Sequence, residues 1–348
     1  MSFTGKLLVW YEENKRDLPW RRTKDPYLIW LSEIILQQTR IDQGLSYYER
    51  FAEIYPAISD LARATEQDIL KLWQGLGYYS RARNMHFAAQ FIVNELDGHF
   101  PSTYDGIRGL KGIGDYTAAA IGSISFNLPV PVVDGNVLRF FSRHFGILEA
   151  IDSLQAKKLV FNQAQQLIPV SDPGTFNQAI MEFGAKYCKP SNPDCKSCPF
   201  LSTCFAYNRE MVNQLPVRAK PVVQRTRYFH YLVISSADMK LIAMQQRKNN
   251  DIWKGLYDFP LIETTTPVTF RELTLRAEWS VETANQPANG VIRSGVHRHV
   301  LTHQIINARF YRWIADPEKF PHLFWVDKKT LGTIPLPRLI DRYLQSLG

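Results

Sequence analysis

Residues 188–204 read CKPSNPDCKSCPFLSTC and contain every cysteine of the 348-residue chain. The spacing is C-x6-C-x2-C-x5-C, and the prolines inside it favour a tight loop because each fixes φ and removes an N–H donor. Four soft thiolate donors this close together indicate one metal or iron–sulfur site rather than disulfides or inert core thiols. Tetrahedral zinc and a 4Fe–4S cluster both take four cysteines, so the spacing leaves that choice open. The predicted ligands are Cys188, Cys195, Cys198 and Cys204.

The length, composition and charge limit which classes of protein are possible. The length allows two domains, and 45% apolar residues with 13% aromatic residues can fill their cores. A net charge of +8 suits a polyanionic partner such as nucleic acid, although charge of this size also serves ordinary solubility. No apolar run approaches the length of a membrane span, and the first residues lack a signal-peptide pattern. We therefore expect a cytoplasmic protein with no membrane partner, which agrees with reduced cysteines.

Residues 1–205 are predicted to form a helical domain. Apolar residues recur at three- and four-residue spacing, and Pro and Gly residues separate the periodic segments. The predicted helical segments are Tyr27–Tyr48, Glu66–Trp73, Arg81–Leu96, Tyr116–Ser125 and Ser153–Leu167.

The composition and periodicity of the sequence change after the cysteine loop. Residues 206–226 carry two prolines and several cations with weak periodicity, which is typical of a linker. Residues 227–236, 240–247 and 307–315 are rich in aromatic and branched residues and are predicted strands, and a closing helix follows Pro337. We therefore predict a multidomain fold, with an all-α domain over 1–205 and a smaller α+β domain over 227–348.

The segment LKGIGDYTAAA, residues 110–120, is a two-glycine turn that runs directly into a small-residue helix. Gly112 and Gly114 let the backbone approach a phosphate closely, and the amides at the helix start point at the anion. Such contacts position a protein on DNA without reading its sequence. A plain interhelix turn with a glycine cap is the alternative.

Two carboxylates stand out from their surroundings. Asp134, in VVDGN, opens a predicted helix, where it can be only a cap or can also stabilise positive charge on a reacting sugar. Glu33, in LSEIILQQTR, is a lone carboxylate among apolar neighbours on a helical pattern. Burial there would raise its pKa and make it a general acid, whereas a solvated position on a polar face would not.

Together these features resemble the helix–hairpin–helix DNA glycosylase superfamily that includes endonuclease III. The hairpin is LKGIG, the aspartate is that of VVDGN, and the cysteine spacing is similar to the 4Fe–4S loop of that family. In the bifunctional members a lysine nucleophile follows the hairpin, but here Tyr116 occupies the matching position, so no Schiff base can form there. SEIILQQTR, GLGYYSRA, GDYTAAA, VDGNV and FNQAIMEFGAKYC then resemble the MutY-type adenine DNA glycosylases, which remove adenine mispaired with 8-oxoguanine.

The second domain resembles the Nudix-like C-terminal domain of that family, through IWKGLYDFPL and the strands around it. The glutamate run of a Nudix catalytic helix is absent from TFRELTLRAEW, so the resemblance implies recognition rather than hydrolysis. The family reads 8-oxoguanine with a Phe-Ser-His turn. The matching segment here is Leu301-Thr302-His303, which keeps a hydroxyl but replaces the aromatic residue with leucine.

The resemblance also implies roles for individual residues. Glu33 would protonate the imidazole ring of the adenine, Asp134 would stabilise the oxocarbenium-like sugar, and Tyr116 would help to position that centre. The flipped adenine would lie among Arg16, Trp20, Arg21, Leu36 and Gln178. Duplex contacts are assigned to Gln37, Gln38, Tyr78, Lys111, Gly112, Gly114, Asn136 and Lys196, with Gln38 and Tyr78 wedging the gap left in the duplex. Plain structural roles are the alternatives for Trp20 and Tyr78.

The resemblance therefore implies a monofunctional DNA N-glycosylase of base excision repair with a 4Fe–4S cluster. Its partner would be double-stranded DNA with A:8-oxoG or A:G mispairs, and we expect a monomer associated with a bacterial nucleoid. Three rival hypotheses make different predictions. A bifunctional lyase would nick DNA without alkali, and a non-enzymatic DNA-binding module would bind mispairs without releasing a base. A zinc-stabilised interaction domain would be colourless, whereas an iron–sulfur protein absorbs near 400 nm.

Overall fold

The computed structural model describes residues 1–218, 224–283 and 290–347. The chain divides into two compact units. The first comprises Met1–Arg63 and Asn84–Lys220, and the second comprises Ala64–Arg83 and Pro221–Gly348. No described helix is both long and apolar enough to cross a bilayer.

The chain up to residue 208 is helical, as predicted. Side-chain caps mark several helix starts: Asp25, Asp134 and Asp172 each accept a hydrogen bond from a backbone N–H of the first turn. The α-helices are α1 Phe3–Asn14, α2 Pro26–Leu36, α3 Ile41–Ile54, α4 Ile58–Arg63, α5 Glu66–Leu72, α6 Ser80–Glu95, α7 Tyr104–Arg108, α8 Asp115–Phe126, α9 Gly135–Phe145, α10 Leu154–Leu167, α11 Pro173–Lys186 and α12 Phe205–Asn208. Short 3-10 turns occupy Pro19–Arg21 and Leu201–Thr203.

The prediction of one continuous helix over Tyr27–Tyr48 was wrong. The structure places two helices there, α2 and α3, separated by residues 37–40. Gln38 has a φ of +55°, a left-handed conformation that no α-helix continues through. The reason is visible in the sequence, because four successive polar residues, QQTR, interrupt the apolar stripe at this point. The other four predicted helical segments are present as α5, α6, α8 and α10.

A core in the first unit joins α1, α8, α9, α10 and α11. Aromatic side chains dominate it, and the rings of Phe140 and Phe183 lie 4.5 Å apart, centre to centre. Gly184 lets α11 pass close to α9, since a Cβ there would lie 2.7 Å from the carbonyl oxygen of Asn136. This packing fixes the N-terminus of α9, where Asp134 lies, against α11.

Within its described residues, the second unit contains an eight-stranded mixed sheet. Its long strand β1 pairs in parallel with β7 along its whole length, and β4 and β2 share its other edge. Beyond β7 lie β6 and β5, and β2 is flanked by β3 and β8. The strands are β1 Arg225–Ser235, β2 Leu241–Gln246, β3 Tyr257–Asp258, β4 Leu261–Thr264, β5 Ile292–Arg293, β6 His297–Val300, β7 Gln304–Ile314 and β8 Phe324–Asp327. The three predicted strands are thereby confirmed.

Both faces of this sheet are covered. Phe229, Tyr231 and Val233 of β1 face one core, and the alternate residues Leu232 and Ile234 face another, as the two-residue period of a strand requires. The first core is closed by α15 Arg338–Gln345, which is the predicted C-terminal helix, and the second by α13 Phe270–Thr274 and α14 Ala277–Glu282. Short 3-10 turns at Pro317–Lys319 and Lys328–Thr333 precede and follow β8.

Residues 64–83 group with the second unit, although the sequence predicted one continuous domain over 1–205. The contacts that hold this segment are long-range. Gln67 donates to the Tyr257 hydroxyl, and the Leu336 N–H donates to Gln74 Oε1. Pairing between residues so far apart leaves no periodic signal in the local sequence, so the prediction could not include it.

The predicted linker over 206–226 is only partly within the described residues, since 219–223 lie outside them. Its first part lies against the first unit: Ile151 N–H donates to the Val217 carbonyl, and Arg143 donates to the Leu215 carbonyl. The segment from Arg225 onward already belongs to β1.

Candidate active site

A cavity of about 420 Å³ in the first unit brings together nine of the predicted site residues. They come from the N-terminal segment, α2, α8, the N-terminus of α9 and α11. These nine are Arg16, Trp20, Arg21, Glu33, Leu36, Tyr116, Asp134, Asn136 and Gln178. Since five segments contribute, the cavity exists only in the folded domain.

Glu33 lies on the inner face of α2 and is only 9% exposed. Burial raises the pKa of its carboxyl to about 7. The Tyr116 hydroxyl and Arg21 act against this rise, and the nearby Asp134 carboxylate adds to it. The solvated alternative considered from the sequence is therefore excluded. A carboxyl with a pKa near 7 is protonated in a useful fraction of molecules at neutral pH and can donate that proton.

Asp134 is the N-cap of α9, and its carboxylate is satisfied on both oxygens. Val137 N–H donates to Oδ1 at 2.7 Å, and Asn136 Nδ2 donates to Oδ2 at 2.8 Å. Burial raises the pKa of this carboxyl, while the two hydrogen bonds lower it. The capping role inferred from the sequence is real, and it holds the carboxylate at the wall of the cavity.

Tyr116 lies in the first turn of α8, directly after the two-glycine hairpin. Its hydroxyl contacts Met181 Sδ at 3.3 Å, and burial together with the Glu33 and Asp134 carboxyls raises its pKa far above the usual value. The phenol therefore stays neutral and can only exchange hydrogen bonds with its neighbours.

Two arginines of the cavity converge on Glu182, a carboxylate that the sequence analysis missed. Arg16 makes a two-pronged contact with it, Nε to Oε1 at 2.7 Å and Nη2 to Oε2 at 2.6 Å. Arg21 Nη2 also donates to Oε2, at 2.8 Å. The Glu182 side chain is 1% exposed. Its place four residues after Gln178, hence on the same helix face, was the signal that could have identified it.

Replacing Glu182 with glutamine is expected to destabilise the protein by about 3–5 kcal/mol, because it leaves two partly buried guanidinium groups without their shared anion. Burial alone would raise the pKa of Glu182, but the hydrogen bonds from Arg16 and Arg21 lower it to about 2. The stabilising effect should therefore be complete above the ordinary glutamate pKa and disappear as the pH falls toward 2.

Urea unfolding at pH 7 and at pH 3 measures this effect. The matched control is Asp17→Asn, which breaks an ion pair with Arg22 in which both side chains are exposed, and it should change stability little. Equal losses from the two variants would show that the Glu182 cluster has no special weight.

The remaining predicted contacts of the base line the same cavity. Tyr11 donates its hydroxyl to Gln178 Oε1 at 2.8 Å, which orients that amide, and among the described residues the Nε2 group has no protein partner. Trp20 is 7% exposed and packs edge-on against Tyr48, so it is both a core residue and part of the wall. Leu36, at the end of α2, adds an apolar surface.

The hairpin between α7 and α8 has a backbone conformation that requires glycine at position 112. Gly112 has a φ of +83°, and a Cβ there would lie 2.7 Å from Cβ of Asn84. Gly114 is the N-cap of α8 in extended conformation, and a Cβ there would meet nothing within 4 Å. Lys111 is exposed beside them. The hairpin thus presents an open backbone surface at a helix N-terminus.

Gln37 and Gln38 lie in the turn between α2 and α3, outside the lining of the cavity. Gln37 Nε2 donates to Thr117 Oγ1 at 3.3 Å, and Gln38 is exposed. Gln38 has a left-handed backbone conformation in this turn.

The four cysteines are free thiols that line one cavity of about 30 Å³. Among residues 1–218, 224–283 and 290–347, no group of three or more His, Cys, Asp or Glu side chains is gathered at metal-binding distances. Burial raises the pKa of Cys198 to about 12, and the neighbouring thiols add to the rise. Four soft donors around one space match the chemistry of an iron–sulfur or zinc centre, and a bound cation would reverse the pKa shift of Cys198.

Two arginines of α9 hold the cysteine loop. Arg139 Nε donates to the Cys188 carbonyl at 2.8 Å. Arg143 Nη1 donates to the Lys189 carbonyl at 2.7 Å and contacts Cys188 Sγ at 3.5 Å. One helix therefore carries Asp134 at its start and anchors the cysteine loop farther along. Lys196 is exposed on that loop.

The predicted recognition residues of the second unit line another cavity, also of about 420 Å³. The Tyr78 and Thr302 hydroxyls are hydrogen bonded to each other. Tyr78 has a φ of +48° and is 42% exposed. Leu301 and His303 flank Thr302 in the tight turn between β6 and β7.

Comparison with known proteins agrees with this architecture. Residues 31–169 match the HhH-GPD superfamily of base excision DNA repair proteins, and residues 230–346 match a NUDIX domain. An adenine DNA glycosylase of Buchnera aphidicola subsp. Schizaphis graminum is 31% identical over 349 residues, covering 99% of this chain and 98% of that one. The adenine DNA glycosylase of Mus musculus is 43% identical over 223 residues, 62% of this chain and 43% of its own. The solved structure of a thermostable thymine-DNA glycosylase gives a TM-score of 0.55 at 30% identity, covering 60% of this chain and 95% of that one.

The fold and these matches define the class first: a DNA N-glycosylase of base excision repair with a helix–hairpin–helix domain. More narrowly, the similarity to the Buchnera protein runs through nearly the whole of both chains. The chain belongs to the adenine DNA glycosylase family. The MutY-type resemblance drawn from the motifs is thereby confirmed, as are the helical and Nudix-like halves of the fold.

Proposed function

We propose that this enzyme removes adenine mispaired with 8-oxoguanine or guanine in double-stranded DNA and leaves an abasic site. The observation that carries the proposal is the buried Glu33 carboxyl, whose pKa is about 7, in one cavity with the capped carboxylate of Asp134. The names of the related proteins, which are adenine DNA glycosylases, support the choice of base. A net charge of +8 supports a DNA partner, and we expect a monomer to act on it at the nucleoid.

Glu33 is the general acid of the proposed reaction. Its proton goes to an imidazole nitrogen of the adenine, so that the base leaves as a neutral molecule rather than as an anion. Proton transfer of this kind contributes about 10²–10⁴-fold to a rate when the pKa of the acid lies near the working pH.

Asp134 is the stabiliser of the sugar. As the glycosidic bond breaks, positive charge develops on the ring oxygen and the anomeric carbon, and a fixed carboxylate at the cavity wall favours that charge. Water then attacks the anomeric carbon, and the proton it releases restores the acid form of the Glu33 carboxylate. Tyr116 contributes a neutral hydroxyl that helps to position the reacting centre.

The product is an intact strand with an abasic site. A lyase needs an amine nucleophile to form a Schiff base. No lysine lines the cavity in the described part of the chain, and Tyr116 stands where the bifunctional relatives would carry one. Strand cleavage should therefore require added alkali.

Base flipping delivers the adenine to this cavity. Arg16, Arg21 and the Gln178 amide supply donors along its wall, and Trp20 and Leu36 supply flat and apolar surfaces. Glu182 keeps both guanidinium groups in place. Site recognition thus depends on side chains whose orientations are set before the base arrives.

The outer contacts hold the duplex. The exposed backbone at Gly112 and Gly114 and the exposed side chains of Lys111 and Lys196 suit phosphates. Asn136 lies beside Asp134 at the cavity wall, and Gln37 is in the turn after α2. The exposed Gln38 and Tyr78 have left-handed backbones and suit the wedging role in the duplex.

Lesion recognition is assigned to Leu301, Thr302 and His303 in the second unit. The Thr302 hydroxyl can donate to or accept from the lesion base, and the turn that carries it is pinned by the β6–β7 pairing. Leu301 provides bulk without a ring.

The cofactor we propose is a 4Fe–4S cluster on Cys188, Cys195, Cys198 and Cys204. The donor set and the shared cavity support it, and the cluster would be held by the loop that Arg139 and Arg143 anchor. We assign the cluster a structural role, because none of the four cysteines lines the reaction cavity.

Single-turnover release of adenine from a duplex with one A:8-oxoG pair tests the proposal. We expect release from this duplex and from A:G, none from A:T, and strand cleavage only after alkali. Nicking without alkali would instead indicate a lyase, and binding without release from any duplex would contradict the proposed reaction.

A further inference from the structure

Trp253 lines the cavity in the second unit, and the assignments above do not use it. Trp253 lies in the loop between β2 and β3 and is partly exposed. Its φ is +62°, a left-handed conformation that is rare for a bulky side chain. Such strain persists only where the surrounding structure enforces it, and it is concentrated at ligand sites.

The loop is held by a hydrogen bond to each of four successive carbonyl oxygens. Arg247 Nε donates to Ile252 at 3.1 Å, and Leu256 N–H donates to Trp253 at 3.0 Å. The Lys254 carbonyl accepts from Arg83 Nη1 at 2.5 Å, and that of Gly255 accepts from Gln246 Nε2 at 3.1 Å. With every carbonyl occupied, the backbone has little freedom to relax the strain at Trp253.

Ion pairs fix the start of the loop. Asp251 binds Arg227 through both oxygens, at 3.0 and 2.6 Å, and Arg247 at 3.2 Å. Arg247 in turn donates to Asp258, which is fully buried, at 2.8 Å. Arg227 and Arg247 are themselves nearly buried, so these pairs are screened little by solvent.

The result is a rigid aromatic ring beside polar groups. The indole meets His299 edge-on, with ring centres 5.7 Å apart. Thr302, His303 and Gln304 line the same cavity. A flat ring held in advance, next to hydroxyl, imidazole and amide groups, is the arrangement that binds a nucleobase by stacking on its face and hydrogen bonding at its edge.

We propose that Trp253 is a specificity-determining residue that contacts the base opposite the excised adenine, and that Asp251 is its positioning residue. The inference rests on the proposed function, in which that base is 8-oxoguanine. Trp253 supplies the aromatic surface in a cavity whose recognition turn carries Leu301. Thr302 then reads the edge of a base whose plane the indole has set.

The test compares affinities for two duplexes that resist cleavage, with 2′-fluoro-2′-deoxyadenosine opposite 8-oxoguanine or opposite guanine. We expect Trp253→Leu, which keeps bulk but lacks a π face, to weaken binding of the 8-oxoguanine duplex by roughly tenfold or more, as expected for loss of one stacking contact. Guanine also stacks, so affinity for the guanine duplex should fall too, but less, because only the 8-oxoguanine duplex also loses the edge contact of Thr302. The preference for 8-oxoguanine should therefore fall severalfold. Trp253→Phe should restore most of the preference, and Asp251→Asn should reduce it partially.

The matched control is Trp325→Leu, since Trp325 is also partly buried in the second unit but does not line the cavity. Thermal unfolding of each variant establishes that it is folded, and the phenylalanine variant remains informative if the leucine variant is not. A folded Trp253→Leu protein that keeps the full preference overturns this inference but not the proposed function. A folded Trp253→Phe protein that has no preference does the same. A wild-type protein that does not distinguish the duplexes overturns the proposed lesion specificity, and the inference with it.

Discussion

Replacing Glu33 with glutamine is expected to slow single-turnover adenine release by about 10²–10⁴-fold, the usual contribution of a general acid. The amide keeps the size and the apolar packing of the side chain on α2 but has no acidic proton. Affinity for the mispaired duplex should be unchanged, because the phosphate contacts lie elsewhere. Quench-flow or manual-quench measurement at saturating enzyme separates the two effects.

The pH dependence gives a second readout of the same group. Burial raises the pKa of Glu33 to about 7, so the acid form, and with it the rate, should decline as the pH rises through 7. The same shift makes the ionised carboxyl a cost to folding. The contribution of Glu33 to folding stability is fully present below the pKa of glutamate in the unfolded chain. It is lost as the pH rises through 7. Glu33→Gln should therefore be more stable than the wild type at pH 8, by up to about 3 kcal/mol.

Glu49→Gln is the matched control, because Glu49 is an exposed glutamate on the neighbouring helix α3. It should leave the rate, the pH profile and the stability as they are. Wild-type turnover by Glu33→Gln would refute the assignment of the acid, even if the protein proved to be an adenine glycosylase.

Replacing Asp134 with asparagine should reduce adenine release by about 10²–10³-fold, the loss typical of one electrostatic stabiliser of a transition state. Asparagine caps helices as well as aspartate does, so the hydrogen bond from Val137 N–H and the start of α9 should survive. The variant therefore removes the charge and keeps the helix cap, while the hydrogen bond from Asn136 Nδ2 to the second oxygen is lost.

Asp172→Asn provides the comparison, since Asp172 caps α11 in the same way but does not line the cavity. Both variants should unfold at temperatures close to that of the wild type, and only Asp134→Asn should lose activity. If activity falls equally in the two, or if Asp134→Asn remains fully active, the carboxylate has no electrostatic role in the reaction.

Much of the site could be predicted from the sequence, because its signals are local. The two-glycine hairpin, the cap at Asp134 and the spacing of the four cysteines each depend on residues within one short segment. A lone carboxylate in the apolar pattern of α2 offered burial of Glu33 as one of two alternatives and gave the direction in which burial would shift its pKa, and the structure decided for burial. The alternation of residues in β1 likewise identified a strand before any partner was known.

Other features depend on contacts between distant parts of the chain. Arg16 and Glu182 are 166 positions apart, and their ion pair arises only when the N-terminal segment packs beside α11. Residues 64–83 join the second unit through partners such as Tyr257 and Leu336, and the local sequence pattern does not predict these contacts. The break between α2 and α3 had a local sign in QQTR, but the apolar periodicity on both sides concealed it.

By itself, the sequence determined the kinds of chemistry available to this protein: a protonable carboxylate, a capped carboxylate, a phosphate-binding turn and four soft ligands. Only the tertiary structure decided which of these groups share a cavity and which lie apart. The physical reason is that hydrophobic patterning and capping are set by neighbours three or four residues away. Cavity walls and ion-pair networks are set by the packing of whole elements, as the loop of Trp253 shows with anchors from β1, β2 and Arg83.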